Sequence, residues 1–310
     1  MVLFQCRLLL SLMQNTNRFR FFNADQSVRN SRWHLFSLLM IVALAAQAQT
    51  YKVATYNLRF DNPNDVGNLW KDRMPSVASL IRYHDFDVFG TQEGQPHQLH
   101  DLTNALPQYV RYGIGRDNGS DQGEHAAIFY KKDKFNVLTF GDFWLSQTPD
   151  KPGLGWDATC CNRICSWVLL QDKKSDLKFY FFNTHLDHQG KVARAEGSKL
   201  ILQKIKEIAR EAPVILTGDF NAGRADEPYK ILAQSALIHD SHADVKYPYE
   251  NNTSFNGFDP HFQGTEIIDH IFISKQFTAY KWGLLTDTYF GKFPSDHFPV
   301  EAVVSMGSKE

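Results

Sequence analysis

The sequence predicts one α/β sandwich over residues 49–310, and three observations support this fold class. The chain of 310 residues is 43% hydrophobic, 22% charged and 14% aromatic, a globular composition that argues against disordered, collagen-like and coiled-coil chains. Short segments rich in β-branched and aromatic residues alternate with a few amphipathic helices. Most of the strands come in neighbouring pairs, and no repeat, linker or low-complexity segment divides the chain.

Residues 1–48 are expected to be an export leader. Arg29 and Arg32 precede an apolar run at 35–46, and Ala46-Gln47-Ala48 then provides a small-residue cleavage site, the order found in secretory signal peptides. The apolar run is shorter than the roughly 20 residues that cross a bilayer. An N-terminal membrane anchor is the alternative.

The charge balance changes when the leader is removed. The whole chain has a net charge of −1, whereas residues 49–310 hold 28 basic and 33 acidic residues. We therefore expect an acidic mature protein that is secreted or periplasmic and has no stable membrane association. The absence of a basic block weakens a role as a general nucleic-acid binder, but it does not exclude an enzyme that contacts a few phosphates. The sequence indicates no protein partner.

Three cysteines remain after the leader: Cys160, Cys161 and Cys165. In an oxidising compartment Cys165 would form a disulfide with either Cys160 or Cys161. Plain buried thiols are an equally good interpretation. Without a histidine nearby in the sequence, three thiols make a poor zinc site.

Four helices are predicted from apolar residues at helical spacing: 70–83, 95–106, 191–209 and 227–234. In the first of them, Trp70, Met74, Val77, Leu80 and Ile81 share one face. Strands are predicted at 51–60, 86–91, 126–130, 135–145, 164–170, 179–183, 213–216, 267–273, 279–285 and 300–304. The segments 126–130 and 135–145 are expected to form a hairpin, as are 164–170 and 179–183.

Polar residues of one chemical character lie at the ends of several predicted strands: Asn57, Glu93, His185, Asp219, Asn221, Asp269, His270, Asp296 and His297. Any one of them alone is more often a turn residue or a hydrogen-bonded core residue. Together, the histidines, carboxylates and amides fit a hard metal ion bound by oxygen ligands, with acid–base assistance. The pattern therefore predicts an active site where these strand ends meet.

Six motifs follow one another along the chain: Thr55-Tyr56-Asn57-Leu58-Arg59, Thr91-Gln92-Glu93, Asn183-Thr184-His185-Leu186-Asp187, Gly218-Asp219-Phe220-Asn221, Ile268-Asp269-His270-Ile271-Phe272 and Ser295-Asp296-His297-Phe298-Pro299-Val300. In this order they resemble the endonuclease/exonuclease/phosphatase superfamily, with its deoxyribonuclease I-like fold, and in particular its exported bacterial branch. The resemblance implies a four-layered α/β sandwich, with two facing mixed β-sheets between outer helices. It also implies attack of water on a phosphoester with the help of Mg²⁺ or Mn²⁺.

The resemblance assigns the metal site to three residues. Glu93 resembles the principal metal ligand, Asn57 lies beside it, and Asp296 is expected near the metal or its bound waters. A hard cation on a carboxylate supplies Lewis acidity and helps to activate water.

Five further residues receive catalytic roles from the resemblance. Asp219 would orient or deprotonate the attacking water, and Asn221 would hydrogen-bond the phosphoryl oxygens. His297 would contact the phosphate, with Asp269 as its orienting carboxylate, and His185 would protonate the leaving oxygen. These roles agree with phosphoryl transfer, which depends on positioning and charge neutralisation more than on covalent help.

Weaker matches concern the rim of the site. Glu124 resembles the acid that orients His185, and Arg163 resembles an arginine that contacts phosphate. For each, a surface salt bridge is an equally good interpretation. Trp156 lies in a Gly-rich loop where an aromatic ring can stack on a base or a sugar, and His188 belongs to a segment typical of the exported branch. Loop packing is the alternative for Trp156.

The expected substrate is a small phosphorylated molecule such as a sugar phosphate, because a compact pocket suits an acidic enzyme better than a duplex groove. A secreted nuclease acting on DNA or RNA is the alternative, so nucleic acid is possible but not favoured. A lipid-directed phosphodiesterase would need an exposed apolar hairpin to contact the membrane, and the sequence shows no convincing one. A binding module without activity is disfavoured because Glu93, Asp219 and His297 are all present.

Overall fold

The computed structural model describes residues 49–307, so the predicted leader lies outside the described residues. Twelve strands are found there: β1 Gln49–Asn57, β2 Val88–Gln92, β3 Tyr109–Tyr112, β4 Ile128–Lys131, β5 Phe135–Trp144, β6 Ile164–Asp172, β7 Lys178–His185, β8 Val214–Asp219, β9 His239–Asp240, β10 Asp269–Ile273, β11 Phe277–Leu284 and β12 Val300–Met306. The helices are α1 Trp70–His84, α2 Pro96–Ala105, α3 Lys191–Ile208 and α4 Glu227–Ala233, and a short 3₁₀ helix spans Ser241–Asp244. Within this part of the chain no helix is long and apolar enough to cross a membrane.

The strands form two mixed sheets of six strands each. The strand order is β11-β12-β1-β2-β4-β3 in the first sheet and β5-β6-β7-β8-β10-β9 in the second. Each sheet has one parallel pair at its centre, β1 with β2 and β7 with β8. A long helix connects the strands of each pair, as parallel pairing requires. An antiparallel strand lies beside each pair, β12 in the first sheet and β10 in the second.

Three apolar clusters separate four layers. The first, which includes Val53, Val168 and Ile271, fills the space between the two sheets. The second packs α1 and α2 onto the outer face of the first sheet, and the third packs α3 and α4 onto the outer face of the second. Residues alternate between the two faces of each strand, so both faces of the central strands are covered. The predicted four-layered α/β sandwich is confirmed.

The predicted hairpin of 126–130 with 135–145 is wrong. β4 pairs with β2 and β3 in the first sheet, whereas β5 pairs with β6 in the second. The turn between them carries the chain from one sheet to the other, where Lys131 and Lys134 both bind the carboxylate of Asp87, at 3.1 and 2.7 Å. A short polar turn has the same sequence signature whether the two strands pair with each other or belong to different sheets. The sequence of the turn does not distinguish the two, because strand pairing depends on residues far away in the chain.

The cysteine pairing also differs from both predicted disulfides. The disulfide joins the neighbouring residues Cys160 and Cys161, while Cys165 is a free, buried thiol inside β6. Cys165 packs with apolar residues of the second sheet and α3, where no other cysteine faces it. Because Cys165 lies within β6, it does not form either of the disulfides that its position in the sequence suggested.

A buried polar cluster joins the two sheets beneath their common edge. Asn183 of β7 donates to the carbonyl oxygens of Thr91 and Ala127 at 2.8 and 3.0 Å. Its own side-chain oxygen accepts from Gln92 at 2.7 Å and from Thr217 at 3.1 Å. All these groups are buried, so each needs its partner. The cluster therefore fixes the spacing of the sheets directly below the strand ends that carry the predicted site.

Candidate active site

Three predicted residues lie side by side on adjacent strands at one edge of the second sheet. His185 is the last residue of β7, Asp219 is the last of β8, and Asp269 is the first of β10; the strand register places His185 opposite Asp219 and Asp219 opposite Asp269. Because β7 and β8 are parallel and β10 runs the other way, two strand ends and one strand start coincide. The local sequence thus brings two carboxylates and an imidazole to one edge of the sheet.

The first sheet supplies the facing residues in the same way. Asn57 ends β1, Glu93 directly follows β2 in the left-handed conformation (φ 62°), and His297 lies just before β12. The Asn57 amide donates to Glu93 and to Asp219, both at 3.0 Å. A buried amide therefore links the carboxylates of the two sheets. The Asn57 side-chain oxygen accepts from the backbone N–H of Arg59 at 2.9 Å.

His297 lies between two carboxylates. Its Nδ1 is 2.9 Å from Asp269, and its Nε2 is 3.8 Å from Asp219. Although burial alone would lower the pKa of His297, these two carboxylates raise it well above the usual value. His297 is therefore an imidazolium at neutral pH, with Asp269 holding Nδ1 and leaving Nε2 directed toward Asp219.

His185 has the opposite charge state. Burial, with Arg163 nearby, lowers the pKa of His185 well below the usual value, so this ring is neutral. Its Nε2 is 3.0 Å from the amide of Asn221 and 3.5 Å from Asp219. Asn221 holds this position in the left-handed conformation (φ 46°), and its backbone N–H donates to Asp219 at 2.9 Å. The motif Gly218-Asp219-Phe220-Asn221 therefore places both functional side chains through one tight turn.

The carboxylates are crowded enough to favour a cation. Burial and the Asp269 carboxylate raise the pKa of Asp219 to about 7, and burial and the Glu93 carboxylate raise that of Asp296 to about 6. Ligand atoms of Glu93, His185 and Asp219 lie within 4.8 Å of one another. Oxygen donors that repel one another suit a hard divalent cation, so the donor set fits Mg²⁺ or Mn²⁺.

Of the two interpretations given for Glu124, orientation of His185 and a salt bridge, the structure shows a salt bridge. Glu124 forms a two-point ion pair with Arg116, at 2.6 and 2.9 Å, and makes no hydrogen bond with His185. Burial raises the pKa of Glu124 to about 6. His185 Nδ1 is buried without a hydrogen-bond partner among residues 49–307.

Arg163 lies deep in the site. Its Nη2 is 2.8 Å from Nδ1 of His188, and its Nε is 3.5 Å from Asp187. Nη1 is buried and has no partner within the described part of the chain, and the residue lines the same pocket as Asp219 and Asn221. A buried guanidinium with a free N–H group attracts an anion.

These residues surround a pocket of about 470 Å³. Nine predicted residues line it: Glu93, Glu124, Arg163, His185, His188, Asp219, Asn221, Asp296 and His297. Asn57 and Asp269 are buried behind this lining and act on it through hydrogen bonds. Trp156 does not line the pocket, and its backbone N–H is bound to Gln147 at 3.2 Å.

Sequence reasoning missed six lining residues: Arg59, Phe60, Arg116, Cys161, Phe255 and Ile268. Arg59 is part of a motif already singled out, and it is held by Asp65 at 2.8 Å. Phe255 lies in the loop before β10, and its ring is 5.1 Å from that of His297. Phe60 and Ile268 lie within segments predicted as strands but are apolar, so the pattern of polar strand ends passes over them, and Arg116 and Cys161 come from loops.

The arrangement matches a known family. The sequence model described as Endonuclease/Exonuclease/phosphatase family matches residues 54–297, so the chain belongs to this family. It is therefore a phosphoesterase, a hydrolase that acts on phosphoric ester bonds. Enzymes of this family generally depend on a divalent metal ion.

Two solved structures from Bacteroides thetaiotaomicron are similar over most of the chain. One is an endonuclease/exonuclease/phosphatase family protein, 46% identical, with a TM-score of 0.82, covering 84% of this chain and 100% of that one. The other is a mannosyl-6-phosphatase, also 46% identical, with a TM-score of 0.80, covering 82% and 99%. Among curated proteins, an uncharacterized protein of Acanthamoeba polyphaga mimivirus is 28% identical over 49% of this chain. The matched region spans 59% of that relative's length.

Proposed function

We propose that this protein is an exported, Mg²⁺-dependent phosphomonoesterase that hydrolyses small sugar phosphates. The observation that carries the proposal is the pocket of about 470 Å³ with Asp219 and His297 in its lining, a volume typical of small-molecule sites. Support comes from the mannosyl-6-phosphatase, which is 46% identical over nearly its whole length. Manganese is the alternative metal.

The lining of the pocket suits a sugar phosphate. Phe60, Phe255 and Ile268 provide apolar surface, which can pack against the carbon face of a ring. Each of the three lining arginines is balanced in part, Arg59 by Asp65, Arg116 by Glu124 and Arg163 by Asp187. The pocket therefore offers a few cationic contacts for one phosphate, rather than the extended basic surface that duplex backbones require.

The proposed metal ligands are Glu93 and Asp296, with Asp219 close by. When bound, Mg²⁺ would neutralise phosphoryl charge and assist the ionisation of water. The Asn57 amide donates to Glu93 and Asp219 and so keeps these carboxylates in place; its oxygen is engaged by Arg59, which favours a positioning role for Asn57.

Side chains of the protein perform the other steps, which are proton acceptance and binding of the phosphoryl group. Asp219, with its pKa raised to about 7, accepts the proton of the attacking water at a pH where it is still partly ionised. The His297 imidazolium and the free Nη1 of Arg163 bind the phosphoryl oxygens as charge develops, whereas the Asn221 amide nitrogen is engaged by His185 and by the carbonyl oxygen of Leu186. The neutral His185 lies beside Asn221 and helps to hold its amide.

Phosphate release from a matched substrate panel tests this function. The purified protein with Mg²⁺ would be assayed on mannose 6-phosphate, glucose 6-phosphate, a chromogenic monoester, a chromogenic diester and plasmid DNA. We expect hydrolysis of the hexose phosphates, at least 100-fold lower kcat/KM on the diester, loss of activity with a chelator, and no nicking of DNA. Nicking that depends on Asp219 would overturn the proposal in favour of a nuclease.

Asp219→Asn provides the catalytic control for this panel. The amide has the same shape as the carboxylate but cannot accept the proton of water, so kcat is expected to fall by about 10²- to 10⁴-fold. Asp133→Asn changes an exposed carboxylate in the turn before β5 and should leave kcat unchanged. Equal activity of the two variants would show that Asp219 is not the base.

We also propose that residues 1–48 are removed during export. The basic residues, the apolar run and the small-residue site described above support this proposal. N-terminal sequencing of protein recovered from the medium or periplasm is expected to begin near Gln49. A mature protein that keeps the apolar run and stays with the membrane fraction would support an anchor instead.

A further inference from the structure

One corner of the pocket is built from two segments that supply none of the proposed catalytic residues. The first is the loop that carries the Cys160–Cys161 disulfide, and Cys161 lines the pocket. The second is the turn after β7, which carries Asp187 and His188. A sulfur of Cys160, a carboxylate oxygen of Asp187 and a ring nitrogen of His188 lie within 4.8 Å of one another.

The disulfide loop is fixed onto the start of α3. The carboxylate of Asp157 accepts from the backbone N–H groups of Val192 and Ala193 at 3.1 and 2.7 Å, which caps the helix from another part of the chain. Thr159 hydrogen-bonds Gln189 in the turn after β7. The corner is therefore held in shape before any ligand enters it, which lowers the ordering cost of binding.

Arg163 determines which nitrogen of His188 carries the proton. A guanidinium has no acceptor, so its Nη2 must donate to Nδ1 of His188, 2.8 Å away. Nδ1 is then unprotonated, and Nε2 carries the hydrogen of the neutral ring. Partial burial and the Arg163 charge lower the pKa of His188, which agrees with this neutral form. His188 keeps part of its side chain accessible and lines the pocket, so its Nε2–H can donate to a bound molecule.

We propose that His188 and the Cys160–Cys161 disulfide form the subsite for the leaving group, and that this subsite selects a hydroxylated sugar ring. His188 donates from Nε2 to a ring hydroxyl, and the disulfide packs against a carbon face of the ring. Arg163 contacts both His188 and the phosphate position, so the subsite adjoins the phosphoryl group. The inference rests on the proposed phosphomonoesterase function and names its leaving group.

A comparison of two monoesters tests the subsite in the full chain. Mannose 6-phosphate carries ring hydroxyls, whereas p-nitrophenyl phosphate carries none. His188→Ala is expected to lower kcat/KM for mannose 6-phosphate at least tenfold more than for p-nitrophenyl phosphate, because a site built to bind a hydroxyl loses discrimination when the donor is removed. Lys191→Ala, at an exposed position three residues away, should leave the ratio of the two kcat/KM values unchanged. Equal losses on both substrates would overturn the proposal.

A binding measurement separates this inference from the function on which it rests. Calorimetry in the presence of Mg²⁺ would compare a mannose 6-phosphonate with methylphosphonate, neither of which can be hydrolysed at phosphorus. We expect at least tenfold tighter binding of the sugar phosphonate, and loss of this preference both in His188→Ala and in the double variant Cys160→Ser/Cys161→Ser. Equal affinities in the wild type would overturn the subsite, whereas failure of the wild type to release phosphate from any monoester would overturn the proposed function.

Discussion

At the scale of single residues, the site depends on opposite charge states of two histidines. His297 is a cation because Asp269 and Asp219 surround it, whereas His185 is neutral because burial and nearby arginines disfavour its charge. Environment rather than residue type decides each state. Of these two histidines, only His297 therefore brings a positive charge to the pocket at neutral pH.

The pH profile of an Asp269 variant tests this assignment. Asp269→Asn removes a carboxylate 2.9 Å from His297, so the pKa of His297 should fall toward its usual value. Activity that needs the imidazolium is lost as pH rises through this pKa, so the alkaline limb of kcat/KM should move to lower pH. The measurement is kcat/KM from pH 6 to 10 for both proteins. An alkaline limb that does not move would contradict the role of the Asp269–His297 pair.

At the scale of secondary-structure elements, the sequence predicted more of the helices than of the strand pairing. Helix α1 was predicted at 70–83 and is found at Trp70–His84, since periodicity is a local property. Strands β3 and β9 were missed, because they are short and their edge positions weaken the alternation. The partner of β5 was wrong, since a strand can pair with any segment that the tertiary structure brings beside it.

The residues of the candidate site were also predictable only in part. Local sequence motifs identify some of them, whereas contacts formed by folding do not show in the sequence. Glu93, Asp219 and His297 could be found because each lies at or near a strand end within a motif. The partners of Glu124 and the orientation of the Asn57 amide could not, because both depend on side chains that meet only after folding. Phe255 received no role from the sequence, because its place in the pocket depends on its bridge to His297, a contact between segments distant in the chain.

The polar cluster between the sheets makes a prediction at this scale. Asn183→Leu would leave the carbonyl oxygens of Thr91 and Ala127, and the side chain of Gln92, without a buried partner. We expect unfolding free energy to fall by about 3 kcal/mol or more, since each unsatisfied buried group costs about 1–3 kcal/mol. Urea denaturation measures this loss. Asn136→Ala, at an exposed position on β5, is the control, and equal stabilities of the two variants would refute the role of the cluster.

At the scale of the whole molecule, the two sheets repeat one arrangement without any repeat in sequence. Each has a parallel pair joined by a long helix, α1 or α3, and an antiparallel strand beside it. Each half contributes residues from the same kind of strand end, so the pocket lies where the two halves face each other. Neither half alone contains both Glu93 and Asp219.

Net charge gives a prediction for the molecule as a whole. Residues 49–310 hold five more acidic than basic residues, and association with duplex DNA requires several released counterions. In gel-shift experiments at about 0.15 M salt, we expect no retarded duplex at protein concentrations that saturate mannose 6-phosphate turnover. Duplex binding that weakens steeply with added salt would instead indicate a nucleic-acid substrate.

The pairing of β1 with β12 has a consequence for the order in which the protein can be made and folded. Gln49 pairs with Met306 and Thr55 with Val300, so a strand synthesised early has no neighbour on this side until nearly the whole chain has left the ribosome. Asn57 and His297 come together only at that moment. A chain that crosses a membrane unfolded benefits from this delay, because an early, stable fold would block its passage. In the export proposed above, the register that completes the pocket would also delay completion of the fold until most of the chain has crossed the membrane.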